Sequence, residues 1–195
     1  MNYLVDPADI TKYDCTPSEL QLRILFWVCA AGKTAVTAAS ALSGMLTRYS
    51  THKNRAPFKI ISNNIAGFNL WRVMRDHGIG CFNAKAITFG QLASSKLNLR
   101  TCTVQDLESI QGIGPKTARC FLMHSRPDQR LAGLDTHMLK HLRSVGIDTP
   151  ASTPTGRRYL ELEQEVLRLA DEAEMTPAEF DLSIWLQYSK RKSSL

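Results

Sequence analysis

The sequence has no long hydrophobic run. Its longest apolar stretch, Ile24 to Ala31, is about eight residues against the roughly 20 that a bilayer span requires, which excludes a membrane-spanning helix. The N-terminus, MNYLVDPADI, lacks a basic segment leading into an apolar one, so a secretory signal is not expected. Strand-like alternation of useful length is missing too, and the class is therefore read as all-α. The five cysteines, Cys15, Cys29, Cys81, Cys102 and Cys120, are odd in number and form no C-x-x-C pair. That argues against a zinc site, an iron-sulfur cluster and a disulfide framework, and fits a reducing, cytoplasmic setting. Nor is there a low-complexity segment or a period suggesting a solenoid.

What is present is ordinary globular material: 44% hydrophobic and 22% charged residues in a chain of 195. That length suffices for one buried domain or for two small lobes sharing a cleft. Lysine and arginine outnumber the acids by 24 to 18, and the net charge of +6 makes a polyanionic partner plausible without identifying it.

Helix signals punctuate the chain. Thr16-Pro17-Ser18-Glu19 has a cap, a first-turn proline and an acid able to reach back to the cap amide, and predicts a helix over about 17–31. Thr34 to Leu46 reads as a second helix, after Gly32. Shorter patterns cover Phe58 to Ile65 and Phe68 to His77, the latter stopped by Gly78, and Asn83 is expected to cap a helix running to about Ser95. Thr103 caps a short helix through Leu107 and Ile110. Asp135 sits as a cap before Thr136 to Val145, a charged helix spans about Gly156 to Ala173, and Thr176-Pro177-Ala178-Glu179 repeats the first capping signature before Phe180 to Tyr188.

The segment richest in chemistry is Leu107-Glu-Ser-Ile-Gln-Gly-Ile-Gly-Pro-Lys-Thr-Ala-Arg-Cys120. Gly112 and Gly114 allow a tight turn, Ile113 between them anchors it in the core, and amide N–H groups at the start of the next helix suit a phosphate. A plain helix–helix turn remains the alternative for two such glycines. Lys116 falls in the first turn of its helix, where the macrodipole disfavours a cation, so it is not there for stability. Partial desolvation or neighbouring cations are expected to lower its pKa, as an amine nucleophile needs. Asp135, in Leu131-Ala-Gly-Leu-Asp-Thr-His-Met138, taken alone is an ordinary helix cap.

Together these residues resemble the helix-hairpin-helix (HhH-GPD, endonuclease III) superfamily of DNA glycosylases. Its hairpin reads L-x-x-[LI]-x-G-[VI]-G-x-K-[TV]-A, and a [VL]-D-x-H-[IM] element follows at this interval. Ile79-Gly80-Cys81-Phe82-Asn83-Ala84-Lys85-Ala86 is similar to the family's I-G-x-[YF]-N-x-K-A loop. The resemblance implies a two-lobed helical fold with a cleft between lobes: residues 15–131 with the hairpin, and residues 1–14 plus 132–195 with the aspartate. It implies a bifunctional DNA glycosylase/AP lyase with Lys116 as nucleophile and Asp135 as its carboxylate, His137 being structural. Contacts to double-stranded DNA are implied for Gly112, Ile113, Gly114, Thr117, Cys81, Phe82, Asn83 and Lys85; Phe82 is equally readable as core.

Cys120 matches a cysteine lining the base pocket of the larger 8-oxoguanine glycosylases, though a buried apolar filler is the alternative. Arg158-Tyr-Leu-Glu-Leu-Glu and Asp181-Leu-Ser-Ile-Trp-Leu186 are similar to the small archaeal-type 8-oxoguanine enzymes, which puts His124 and Trp185 with Cys120 in a candidate base pocket and makes 8-oxoguanine the leading substrate. The ending Lys190-Arg-Lys-Ser-Ser-Leu195 departs from the terminal lysine of those enzymes, and the Lys190–Lys192 cluster reads as a solvated tail. Endonuclease III's four-cysteine loop has no counterpart, so no iron-sulfur cluster is implied; a monovalent cation at the hairpin is the one inorganic ligand admitted. A monomer at the nucleoid is expected, with no membrane contact. The rivals are a glycosylase for another modified or mismatched base, hypermodified foreign bases included, and a non-catalytic hairpin module that only binds DNA.

Overall fold

The computed structural model describes residues 2–65 and 69–190. Phe68, where one helix was expected to start, and Arg191 and Lys192 of the basic tail lie outside the described residues. No strand occurs among those described. The helices are α1 (Pro17–Ala30), α2 (Ala35–Tyr49), α3 (Pro57–Lys59), which runs into a π-helical stretch (Ile60–Ile65), then α4 (Leu70–Asp76), α5 (Phe82–Ser94), α6 (Val104–Glu108), α7 (Pro115–Ser125), α8 (Thr136–Ser144), α9 (Gly156–Glu172) and α10 (Pro177–Lys190). The all-α expectation is met. None of these helices is long and apolar enough to cross a membrane.

The chain forms two compact units, Met1–Asp9 with Asp14–Gly114, and Ile10–Tyr13 with Pro115–Leu195. The division falls inside the glycine hairpin, whereas the sequence carried the first lobe on to residue 131. The physical reason is that α7 bonds within the second unit: Arg119 pairs with Glu163 of α9, and His124 with Asp181 of α10.

In the first unit α1 packs along α2, and α5 packs on α4 and on the π-helical stretch. Their facing sides bury Ile24, Leu25, Leu42, Met45, Leu46, Ile60, Met74 and Phe89, and removal of this apolar area from water is the main stabilising term. The capping box at α1 forms as written in the sequence, with Thr16 N–H donating to Glu19 Oε2 at 2.7 Å and Glu19 N–H returning to Thr16 Oγ1 at 3.3 Å. The start of α5 differs. Its cap is Cys81, in the left-handed region at φ 53°, and Asn83 lies inside the first turn. Sequence rules reserve that conformation for glycine or asparagine, so a cysteine there is not legible as a helix start.

In the second unit α8, α9 and α10 enclose Leu134, Met138, Leu139, Leu142, Tyr159, Leu162, Val166, Phe180 and Ile184. The last five residues of the link before α8, 131–135, lie against α9. Their backbone is held by buried side chains, which fixes where Asp135 begins α8.

Candidate functional site

The second unit gathers the titratable groups. Lys116 occupies the second position of α7 and is half-buried. One turn on, Cys120 is 1% exposed, and the Lys116 amine hydrogen-bonds its thiol sulfur. Asp135 caps α8, its Oδ1 accepting from the backbone N–H groups of His137 and Met138 at 2.8 and 2.9 Å. Both bonds fall on one oxygen, which leaves Oδ2 outside the cap. Asp181, on α10, pairs through Oδ2 with His124 Nε2 at 3.2 Å, and His124 Nδ1 meets Thr11 Oγ1 at 2.7 Å. With Nε2 protonated toward the carboxylate and Nδ1 accepting from the threonine hydroxyl, a neutral imidazole satisfies both contacts.

Gly133 closes the arrangement. A Cβ added there would collide with Cys120 Sγ and stand 3.6 Å from both Asp181 Oδ1 and Met123 Cε. Its backbone φ makes no demand for glycine; the space does. Lys116, Cys120, Gly133, Asp135 and Asp181 therefore share one neighbourhood, in which Asp135 and Asp181 both act electrostatically on Lys116 and on Cys120.

The charge balance there overturns one expectation. Burial works to strip the proton from Lys116, but Cys120, Asp135 and Asp181 favour the ammonium and prevail, so its pKa lies above the ordinary lysine value instead of below it. Burial, with the two carboxylates, pushes the Cys120 thiol far up against the pull of Lys116. The thiol is thus neutral at physiological pH, and the lysine is an ammonium.

The hairpin itself is built as its glycines required. Gly112 has φ 88°, and a Cβ on it would strike the Thr88 hydroxyl, which donates to Gln111 O at 2.7 Å. Ile113 is buried, 4% exposed. Gly114 is exposed, with open space where a Cβ would go. The Thr117 side chain is buried, and its backbone amide belongs to the first turn of α7, where N–H groups have no partner within the helix.

The loop residues divide. Cys81 and Asn83 are exposed at the strained turn, and Phe82 is half-buried, stacked on Trp71 with ring centroids 6.1 Å apart. Lys85, expected to contact DNA, is turned inward instead. Its Nζ donates to Cys29 O and Ala31 O at 2.8 Å each, capping the C-terminal end of α1, and burial lowers its pKa. Trp185 is half-buried on α10, one turn from Asp181, and His137 stacks on Tyr188, in keeping with a structural role.

Asp181 is the residue that sequence reasoning missed, although it stands in the matched Asp181–Leu186 run. The available signal was its i,i+4 spacing to Trp185, which puts an acid and an indole on one helical face.

Residues 95–122 match the family described as the helix-hairpin-helix motif, a span that takes in α6, the glycine turn, Lys116 and Cys120. Among solved structures the chain is similar to the crystal structure of the 8-oxoguanine DNA glycosylase of Thermotoga maritima, with a TM-score of 0.66 and 22% sequence identity, over 88% of this chain and 80% of that one. The chain thus carries the hairpin motif and shares the helical fold of that enzyme.

Proposed function

We propose that this chain is a DNA glycosylase with AP lyase activity, and that oxidised guanine is its leading substrate. The observation that carries this is the placing of Lys116, at the first turn after the Gly112–Gly114 hairpin, within electrostatic reach of Asp135 and Asp181 and one turn from Cys120, whose sulfur packs against Gly133. A pure DNA-backbone binder has no use for an amine under the electrostatic influence of two carboxylates. The fold shared with the Thermotoga maritima enzyme supports the same reading.

The hairpin amides bind backbone phosphate, which positions the duplex without reading its sequence. The target nucleotide leaves the stack at a cost of a few kcal/mol, less where it is damaged or mispaired. Lys116, resting as an ammonium, passes a proton to a neighbouring carboxylate, Asp135 being the one already oriented by its cap bonds. Its free amine attacks the sugar C1′; the N-glycosidic bond breaks, and the base departs with the bonding electrons and takes up a proton. Asp135 gives up the proton it received to the departing base and, a carboxylate again, stabilises the cationic sugar. The sugar ring opens to a Schiff base on Lys116, loss of a C2′ proton follows, and the 3′-phosphate is expelled, nicking the strand.

The Asp181 carboxylate accepts hydrogen bonds and donates none when ionised, and His124 fixes its direction. It suits a base edge that offers neighbouring N–H donors, as the pairing edge of guanine does. At the hairpin, the carbonyls of Ile110 and Gln111 each accept one bond and keep a second lone pair, so these residues fit a monovalent cation that would brace phosphate contact.

Borohydride added to the protein with duplexes carrying single modified bases should trap a covalent complex, most with 8-oxoguanine. Lys116→Gln should abolish trapping, with DNA binding retained. Absence of a trapped complex with every modified base and with a preformed abasic site would sink the proposal.

A further inference from the structure

A buried ion pair in the second unit connects the helix of Lys116 to the segment that ends in Asp135. Glu163 of α9 is 4% exposed, and its Oε1 accepts from Arg119 Nε at 2.9 Å and from the backbone N–H of Ala132, also at 2.9 Å. Arg119 lies on α7 three residues after Lys116, and its Nη1 donates at 3.4 Å to Pro115 O, the carbonyl of the peptide that joins Lys116. One carboxylate oxygen therefore holds both the nucleophile's helix and the link to the cap of α8.

Tyr159 completes the clamp. Its ring lies under the Arg119 guanidinium, 4.5 Å from ring centroid to Cζ, and its hydroxyl donates to Ala132 O at 2.8 Å while accepting from Leu134 N–H at 3.2 Å. Thr153 Oγ1 takes the remaining carbonyl, Leu134 O, at 2.7 Å. Every one of these bonds falls within two residues of Gly133, next to Asp135.

Stability alone does not account for such a pair. Both side chains are nearly water-free, at 9% and 5% exposure, and removing two charges from water costs as much as their attraction returns; packed apolar residues of the same size do as well or better. What apolar residues cannot do is fix direction, because only hydrogen bonds specify where a backbone amide sits.

We infer that Glu163, with Arg119 and Tyr159, is a positioning device that sets the register between Lys116 and Asp135. It touches no substrate and acts through α7 and the 132–134 segment. The inference rests on the functional assignment of Lys116 and Asp135 above.

The test is single-turnover strand cleavage on a duplex with a preformed abasic site, alongside duplex affinity and thermal midpoint. The double replacement Arg119→Met with Glu163→Leu keeps the volume apolar and should leave the midpoint unchanged or higher. Cleavage should nonetheless fall roughly ten- to a hundredfold, the cost of misplacing a reacting group by about an ångström, with affinity kept. Glu163→Gln, whose amide oxygen still accepts from Ala132, should recover part of the rate. A stable double variant that cleaves at the wild-type rate would overturn the inference. If that variant does not fold, Tyr159→Phe, which removes one hydroxyl, decides by the same comparison.

Should the wild type itself fail to cleave, the functional assignment falls separately. The clamp is then read from the titration of the Lys116 ammonium by NMR in the free protein. The groups facing Lys116 are Cys120 on α7, Asp135 at the start of α8 and Asp181 on α10. The double replacement Arg119→Met with Glu163→Leu, which leaves the net charge unchanged, should shift that titration downward, toward the ordinary lysine value, and an unmoved titration would count against the clamp.

Discussion

Gly133, Lys85 and Lys116 show how much of a residue's behaviour its neighbours decide. A methyl group on Gly133 meets the Cys120 sulfur, so Gly133→Ala should lose about 1–3 kcal/mol of stability in urea denaturation, the range for overpacking. Adding Cys120→Ala removes the obstructing atom and should restore most of it; strictly additive losses would show that the two do not share the space. The lysines predict opposite pH effects. Lys85 has a folded pKa below its unfolded value of about 10.4, so the folded state releases its proton first and stability rises with pH up to that value. Lys116 has a folded pKa above it, so its contribution is fully present below about pH 10.4 and is lost as pH climbs beyond. Thermal midpoints across pH 8–12, a window chosen to bracket about 10.4, should show Lys85→Met flattening the lower limb and Lys116→Gln the upper.

Among the elements, the hairpin separates a glycine that the fold needs from one that it does not. Gly112→Ala forces an L side chain to φ 88° and into the Thr88 hydroxyl, and should cost about 1–3 kcal/mol. Gly114→Ala sets its methyl group in open space, so its thermal midpoint should stay at the wild-type value while affinity for duplex DNA drops. Equal loss of stability in both variants would mean that Gly114 serves the fold after all. The caps divide in the same way by legibility. Thr16, Thr103 and Thr176 each sit before an acid at the third helical position, and all three boxes form. Cys81 leaves no such trace, because its carbonyl and its left-handed backbone, not its side chain, start α5.

The distribution of cysteines over the whole molecule gives a test of burial that needs no substrate. Cys81 is exposed, while Cys15, Cys29, Cys102 and Cys120 are buried. Burial pushes the Cys29 thiol up to about 12 and Cys120 higher still, so neither presents a thiolate at neutral pH. Mass mapping with a maleimide should therefore find Cys81 labelled within minutes and the other four only after denaturant. Rapid labelling of Cys120 would contradict the packing around Gly133 on which the site depends.

The sequence by itself determined the local features: a helical chain, its threonine caps and the glycine turn. Each is written in residues that are close together or at a fixed interval, and each depends on backbone chemistry that side-chain type announces. The tertiary structure decided what long-range packing controls. It turned Lys85 inward as a helix cap, raised the Lys116 pKa by grouping Cys120, Asp135 and Asp181 around it, and placed the unit boundary within the hairpin. A side chain's direction and the charges around it depend on residues tens of positions away, and no spacing rule in the chain records them.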